Sequence, residues 1–284
     1  MDIRTELSEF LKSRRARLRP EDVGLRDFGG VRRVAGLRRE ELALAAGVSI
    51  AHYTRLEQGN GQSVSDEVLD AVSAALRLDP DESKYLRQIA RRPTACEFRQ
   101  ATPDSHRGAR YLLDSLEAAP AFMLGRHTQI VGWNPLAVAV FGDFPSLPEE
   151  DRTLTHLLFT DPYVRELHRD GWERAAREHV AHLRTLLGHF RADPKVIAHI
   201  ERMRAESADF ARLWGEYLVG RVIGRVFTLH HPVAGELRFY GERIMLPDEP
   251  ACCSVDVYAT EPGSDTARAL LELARESPAP SGVR

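Results

Sequence analysis

The sequence predicts a two-domain protein. A small all-α domain of five helices holds a helix-turn-helix, and an α+β domain follows, a five-stranded antiparallel sheet with helices on one face. Three observations carry this. Residues 38–59, RREELALAAGVSIAHYTRLEQG, spell two short helices joined by a tight turn. Beyond about residue 120 the apolar period switches from helical to alternating, returns to helical, and alternates again after about residue 225. At 284 residues the chain is also too long for one small helical domain.

The elements follow in order. Leu7, Phe10 and Leu11 give a first helix over about residues 3–18 its buried side, and Pro20 ends it. A loop with Gly24, Gly29 and Gly30 leads to Arg32 and Arg33. Leu42, Ala43 and Ala46 then share one face of a helix that Gly47 stops, because glycine takes a left-handed conformation without steric penalty. Val48 fills the corner, and Ser49 is placed to cap the next helix. There Tyr53, Leu56 and Glu57 face inward, and Ile50, Ala51, His52 and Arg55 face outward. Asn60-Gly61 is a turn, Ser65 or Asp66 opens a fourth helix, and Asp79-Pro80 opens a fifth.

Residues 93–108, PTACEFRQATPDSHRG, have linker composition. A helix over about 109–117 precedes two short strands, AFMLGR (121–126) and QIVGWN (129–134). Residues 153–219 read as helical, with breaks at Asp161-Pro162, Asp193-Pro194 and near Gly215. Three strands follow, at 225–231, 235–246 and 252–260. A helix over 265–276 is expected to pack or dimerise, and SPAPSGVR to fray. The expected domains are therefore 1–92 (helix-turn-helix core about 34–83), a linker 93–108, a sheet domain 109–262 and a terminal helix and tail 263–284.

A hydrophobic content of 43% and charged content of 29% are those of a globular protein, and no apolar run approaches the length of a membrane span. The N-terminus lacks the apolar core of a signal peptide, and three cysteines do not make a disulfide framework, so a cytoplasmic protein with free thiols is expected. The net charge of −3 is unevenly divided. Residues 1–92 carry 17 Lys+Arg against 15 Asp+Glu, and residues 4–39 alone carry 11 against five. A local basic surface, not net charge, is what meets phosphates.

Two helices crossing at such a turn set the second into the DNA major groove, where its first outward residues reach base edges. The candidate DNA contacts are Arg32, Arg33, Arg38, Arg39, Ser49, Ile50, Ala51, His52, Thr54 and Arg55. Arginine offers a bidentate pair to guanine, and Ile50 or Ala51 an apolar contact to a thymine methyl. Arg55 reads either a base or only a phosphate, and Ser49 and Thr54 serve as cap and backbone contact. One such domain buries too little surface for operator-level affinity, so a homodimer on a two-fold-related duplex site is expected.

The run RRVAGLRREELALAAGVSIAHYTRLEQG resembles the XRE (Cro/repressor-like) regulators of the MmyB-like group. The similarity continues in Trp133-Asn134-Pro135, in Phe210-Ala211-Arg212-Leu213-Trp214 and in the turn from His231-Pro232 to Gly235-Glu236-Leu237. The resemblance implies a PAS-like second domain that binds a small apolar effector, such as a fatty acid, between sheet and helices. Candidate effector contacts are Phe122, Leu124, Val131, Trp133, Trp214, Tyr217, Phe227, Leu229, His231 and Phe239, although aromatic and branched residues at these periods serve equally as core. The other reading is a second domain that only dimerises or meets a protein partner. No catalytic constellation, metal set or cofactor is expected. His179, His182 and His189 have partial helical spacing but no Cys or HExxH pattern to complete a site.

Overall fold

The computed structural model describes residues 3–25, 36–61, 64–91, 107–190, 193–220, 225–246, 254–276 and 282–283. Arg32 and Arg33, all three cysteines and the turn expected at 247–250 lie outside them. So does the segment read as a linker, except Arg107 and Gly108, which open a helix.

The described elements run α1 (Ile3–Ala16), α2 (Arg39–Ala45), α3 (Ile50–Glu57), α4 (Asp66–Ala75), α5 (Pro80–Ala90), α6 (Arg107–Ser115), β1 (Ala121–Leu124), β2 (Ile130–Trp133), α7 (Pro135–Phe141), α8 (Leu154–Thr160), α9 (Pro162–His168), α10 (Trp172–Phe190), α11 (Pro194–Glu206), α12 (Ala208–Trp214), β3 (Arg225–His231), β4 (Gly235–Met245), β5 (Ser254–Ala259), α13 (Asp265–Glu276) and β6 (Gly282–Val283). The residues group into two compact units. The first comprises Met1–Cys96, Arg184–Ile197 and Leu213–Arg221, and the second Glu97–Leu183, Ala198–Arg212 and Val222–Arg284.

In the first unit the apolar faces read from the sequence close on one another. Leu7, Phe10 and Leu11 of α1 are buried with Leu42 and Ala43 of α2, Tyr53 and Leu56 of α3, Leu69 and Val72 of α4, and Tyr85, Leu86 and Ile89 of α5. Tyr217 and Val219 pack against the same core. Local chemistry sets the helix ends. Gly47 takes φ +65° just past α2, and Val48 N–H donates back to the Ala43 carbonyl at 3.0 Å. Ser49 Oγ accepts from His52 N–H at 3.2 Å, and Asp79 and Glu82 satisfy each other's backbone N–H at the start of α5.

The second unit has a PAS-like arrangement. The five expected strands form one antiparallel sheet in the order β3-β4-β5-β1-β2, with helices inserted between β2 and β3. Two details differ from the sequence reading. Gly282–Val283, expected to fray, adds a short sixth strand against Gly132 and Trp133. Helices also lie on both faces of the sheet. Phe122 packs against Phe141 of α7, whereas Ala121 and Met123, which point the opposite way, pack with Ala109 and Leu113 of α6. The cause is visible in the strands themselves. AFML (121–124) and Ser254–Tyr258 are buried at every position, the pattern of strands covered on both sides.

Asn134 fixes where the sheet gives way to α7. It is 1% exposed. Its Oδ1 accepts from Ala121 N–H and Ala137 N–H, both at 3.0 Å, capping α7 while holding the start of β1. Its Nδ2 donates to the Leu116 and Ala119 carbonyls, both at 2.7 Å. One side chain thereby joins the end of α6, β1 and α7. Replacing it removes all four of these hydrogen bonds at once, so Asn134→Ala is expected to destabilise the chain by ~2–4 kcal/mol in urea denaturation.

Candidate functional site

The helix-turn-helix is assembled around one buried carboxylate. Glu57, at the end of α3, is 1% exposed. Arg15 of α1 donates to it through Nε at 2.9 Å and Nη2 at 3.2 Å, Arg39 of α2 through Nε at 2.6 Å, and Tyr53 through its hydroxyl at 2.8 Å. Burial opposes ionisation here, but the bonds from Arg15, Tyr53 and Arg39 outweigh it and hold the carboxyl below the usual range. Burial, aided by the Glu57 charge, pushes the Tyr53 hydroxyl far up, so it stays a donor. Two guanidinium groups around one carboxylate leave a net positive charge beside α3.

This clamp orients the rest of α3. Ile50 is 50% exposed, Ala51, His52 and Arg55 are exposed, and Thr54 is half-buried. Arg38 is exposed just before α2, its backbone N–H bonded to Glu41 at 2.7 Å. The structure thus brings Arg38, Ser49, Ile50, Ala51, His52, Thr54 and Arg55 together about the turn and the first turns of α3. Arg39 joins them differently. Its side chain is 47% exposed but bonded to Glu57, so it braces α3 as well as facing outward. The basic stretch 4–39 is also less of a surface than its composition suggests. Arg14 is 3% exposed, paired with Glu82 at 2.8 Å, with burial lowering its pKa to about 10. Arg15 is committed to Glu57.

In the second unit the candidate effector residues divide. Phe122, Trp133, Phe227 and Phe239 gather on one face of the sheet with Phe141, Phe144 and Tyr258 in edge and tilted ring contacts 5.1–6.1 Å apart. Leu124 and Leu229 are buried on that face. Val131 turns to the other face, against the α6 cluster, because the register shifts between Met123 and Leu124. Trp214 and Tyr217 belong to the first unit. His231 staples its own hairpin. Its Nδ1 accepts from Val233 and Ala234 N–H at 3.2 and 3.0 Å, and its Nε2 donates to the Ala139 carbonyl at 3.1 Å. Burial lowers its pKa, in keeping with that neutral tautomer. Sequence reasoning missed Tyr258, whose strand shows Ser254 and Asp256 on the same face and so looks polar there.

A cleft of about 180 Å³ opens beside β3, lined by His168, Arg174, Glu178, Phe227 and His230 among others. Phe227 alone of the ten candidates borders it. It is smaller than the ~300–1,000 Å³ of a site that encloses a drug-sized ligand.

Two family models match the chain, one after the other in sequence. A helix-turn-helix domain family matches residues 6–86, and the MmyB-like transcription regulator ligand binding domain family matches residues 105–274. The chain belongs to the MmyB-like transcription regulators. No curated protein matches it. In this regulator the first match covers α1 to α5 with the Glu57 clamp, and the second covers β1 to β5 with the aromatic cluster. Among the described residues no helix is long and apolar enough to cross a membrane, and no group of three His, Cys, Asp or Glu is placed to hold a metal ion. His179 meets Thr155, His182 accepts from Arg243, and His189 meets Gln88, so these three histidines have separate partners.

A different histidine group carries a pH dependence. His199 is 6% exposed, its ring 5.2 Å from that of His127. Burial, reinforced by His127, Arg202, His179 and His156, pushes its pKa down to about 3. Below pH ~6.5 the unfolded chain takes up a proton that folded His199 refuses, so this contribution is intact at higher pH and is lost as pH falls from ~6.5 towards 3. Denaturant titrations at pH 7 and pH 5 are expected to differ by about 2 kcal/mol from this group, and His199→Gln to reduce the difference.

Proposed function

We propose that this regulator reads duplex DNA through Arg38, Arg39, Ser49, Ile50, Ala51, His52, Thr54 and Arg55, with Arg32 and Arg33 as additional phosphate contacts, and that its second domain senses a small apolar effector, a fatty acid or similar. The observation that carries the DNA reading is the exposed N-terminal half of α3, braced from behind by the buried Glu57 and its three donors. His52 and Arg55 take base edges, Ile50 and Ala51 meet thymine methyls, and the start of α3 with Ser49 and Thr54 holds the backbone. The protein acts in the cytoplasm as a homodimer, because one helix-turn-helix covers too little DNA for operator affinity.

The effector reading is supported by the family match and by the aromatic face of the sheet. Two buried donors there, Trp133 Nε1 and Arg152 Nε, have no hydrogen-bond partner among the described residues, and the Arg152 guanidinium lies 5.6 Å from the Trp133 ring. Buried donors left in this way favour an effector with an acceptor at one end of an apolar body. The rings of the cluster pack against one another, so such a molecule would enter by opening it, a second conformation that it would select.

Denaturing extraction of the purified protein followed by mass spectrometry tests the effector. A stoichiometric amphiphile supports the reading, and an empty protein with its aromatic cluster closed in a crystal structure supports a domain that only dimerises or meets a protein partner. For DNA, Arg55→Ala and His52→Ala are each expected to weaken binding to a selected duplex by ~1–3 kcal/mol in fluorescence anisotropy. Equal losses on a scrambled duplex would place both side chains on the backbone.

A further inference from the structure

Among the described residues the largest fully buried side chain is an arginine, Arg184 of α10, with 0% exposure. It lies inside the matched span of the ligand binding domain family, residues 105–274, yet by packing it belongs to the first unit, with the DNA-reading helices. There it makes an ion pair with Glu6 of α1, whose side chain is 5% exposed. Tyr85 of α5 donates to the same carboxylate oxygen at 2.6 Å. Arg184 Nη2 donates to the Trp214 carbonyl, and the guanidinium lies over the Trp214 and Tyr217 rings, 4.1 and 4.4 Å from their centroids. Tyr217 is held in turn, its carbonyl accepting from Arg14 Nη2 at 2.7 Å.

A charge this deep is tolerated only when its partner is present, because an unpaired buried ion costs far more than a surface contact. Glu6 and Arg184 therefore require each other. Glu6 stands on α1 about two turns from Arg14 and about two and a half from Arg15. Arg15 is the residue that grips Glu57 and so braces α3. The same helix thus takes Arg184 at one end and steadies the recognition helix from the other.

We infer that Arg184 is a positioning residue for DNA reading, and that the working DNA-reading unit includes residues 184–190, 193–197 and 213–220 in addition to the helix-turn-helix. This rests on the reading of the chain as a DNA binder. It goes beyond that reading by assigning part of the DNA-reading structure to the sequence of the effector domain.

The test uses the full chain and a duplex selected from a randomised pool by the wild-type protein. Arg184→Met is expected to keep its helical circular dichroism, to lose tenfold or more in duplex affinity, and to speed amide hydrogen exchange along α3. The control is Arg243→Met, which removes a largely buried arginine paired with Asp256 at 2.5 Å in the second unit. It is expected to leave duplex affinity within twofold. Wild-type affinity in Arg184→Met, or an equal loss in Arg243→Met, would overturn the inference. If Arg184→Met does not fold, Glu6→Gln decides, since it keeps a hydrogen-bonding side chain without the charge. A smaller loss of affinity with faster α3 exchange supports the inference, and wild-type behaviour in both overturns it. If the wild-type protein selects no duplex, the DNA reading itself fails. The α3 exchange rates of wild-type and Arg184→Met then still decide whether Arg184 holds that helix.

Discussion

The DNA-reading unit depends on the carboxylate of Glu57. Three donors from three helices, Arg15 on α1, Arg39 on α2 and Tyr53 on α3, converge on its two oxygens. A side chain with acceptors only and a fixed fork is suited to gather donors in this way. Hydrophobic contacts among Leu42, Tyr53 and Leu56 bring the helices together but are indifferent to small rotations. Charge-assisted hydrogen bonds are directional, so the clamp sets the angle at which Ile50, Ala51, His52 and Arg55 leave the surface. The exposed side chains and the bracing ones therefore lie on opposite sides of one eight-residue helix.

The second unit solves a different problem with the same economy of parts. Its central strands are covered on both faces, by α6 on one and by α7 and the aromatic cluster on the other. Asn134 lies where these layers meet, and all of its hydrogen-bonding capacity is used within the protein. Arg243 and Asp256, neighbours in the register of β4 and β5, set an ion pair on the aromatic face of the sheet. Trp133 Nε1 and Arg152 Nε differ in lying beside the aromatic cluster, buried and without a partner among the described residues.

Much of this was legible in the sequence, because periodicity reports which face of an element is buried. The faces of α1 to α5, the caps at Ser49 and Asp79, the stop at Gly47 and the bounds of β3 and α13 all follow from local chemistry. Three things were not legible, each for a physical reason. Composition counts a charge without saying where it points, so Arg14 and Arg15 read as surface although both turn inward. A strand buried on both faces loses its alternation, so the second layer of helix against β1 and β5 was hidden. Tertiary partners distant in sequence leave no local trace, so nothing near Trp214 or Tyr217 placed them with α1. A trace of Arg184 did exist, since it falls on the buried stripe formed by Ala176, Val180, Leu183 and Leu187. A charge on such a stripe signals a buried partner elsewhere.

The inward arginines also bear on how this regulator would respond to salt. Each cation that neutralises a DNA phosphate releases condensed counterions, and the number released sets how steeply affinity falls as salt rises. Arg14 faces Glu82 and Arg15 faces Glu57, so neither is available for that exchange. The electrostatic share of binding falls to fewer cations than the basic N-terminal sequence would suggest. With fewer phosphate contacts, discrimination between duplexes would rest more heavily on the side chains proposed to read bases. Such a protein would be held on DNA less by charge than by fit.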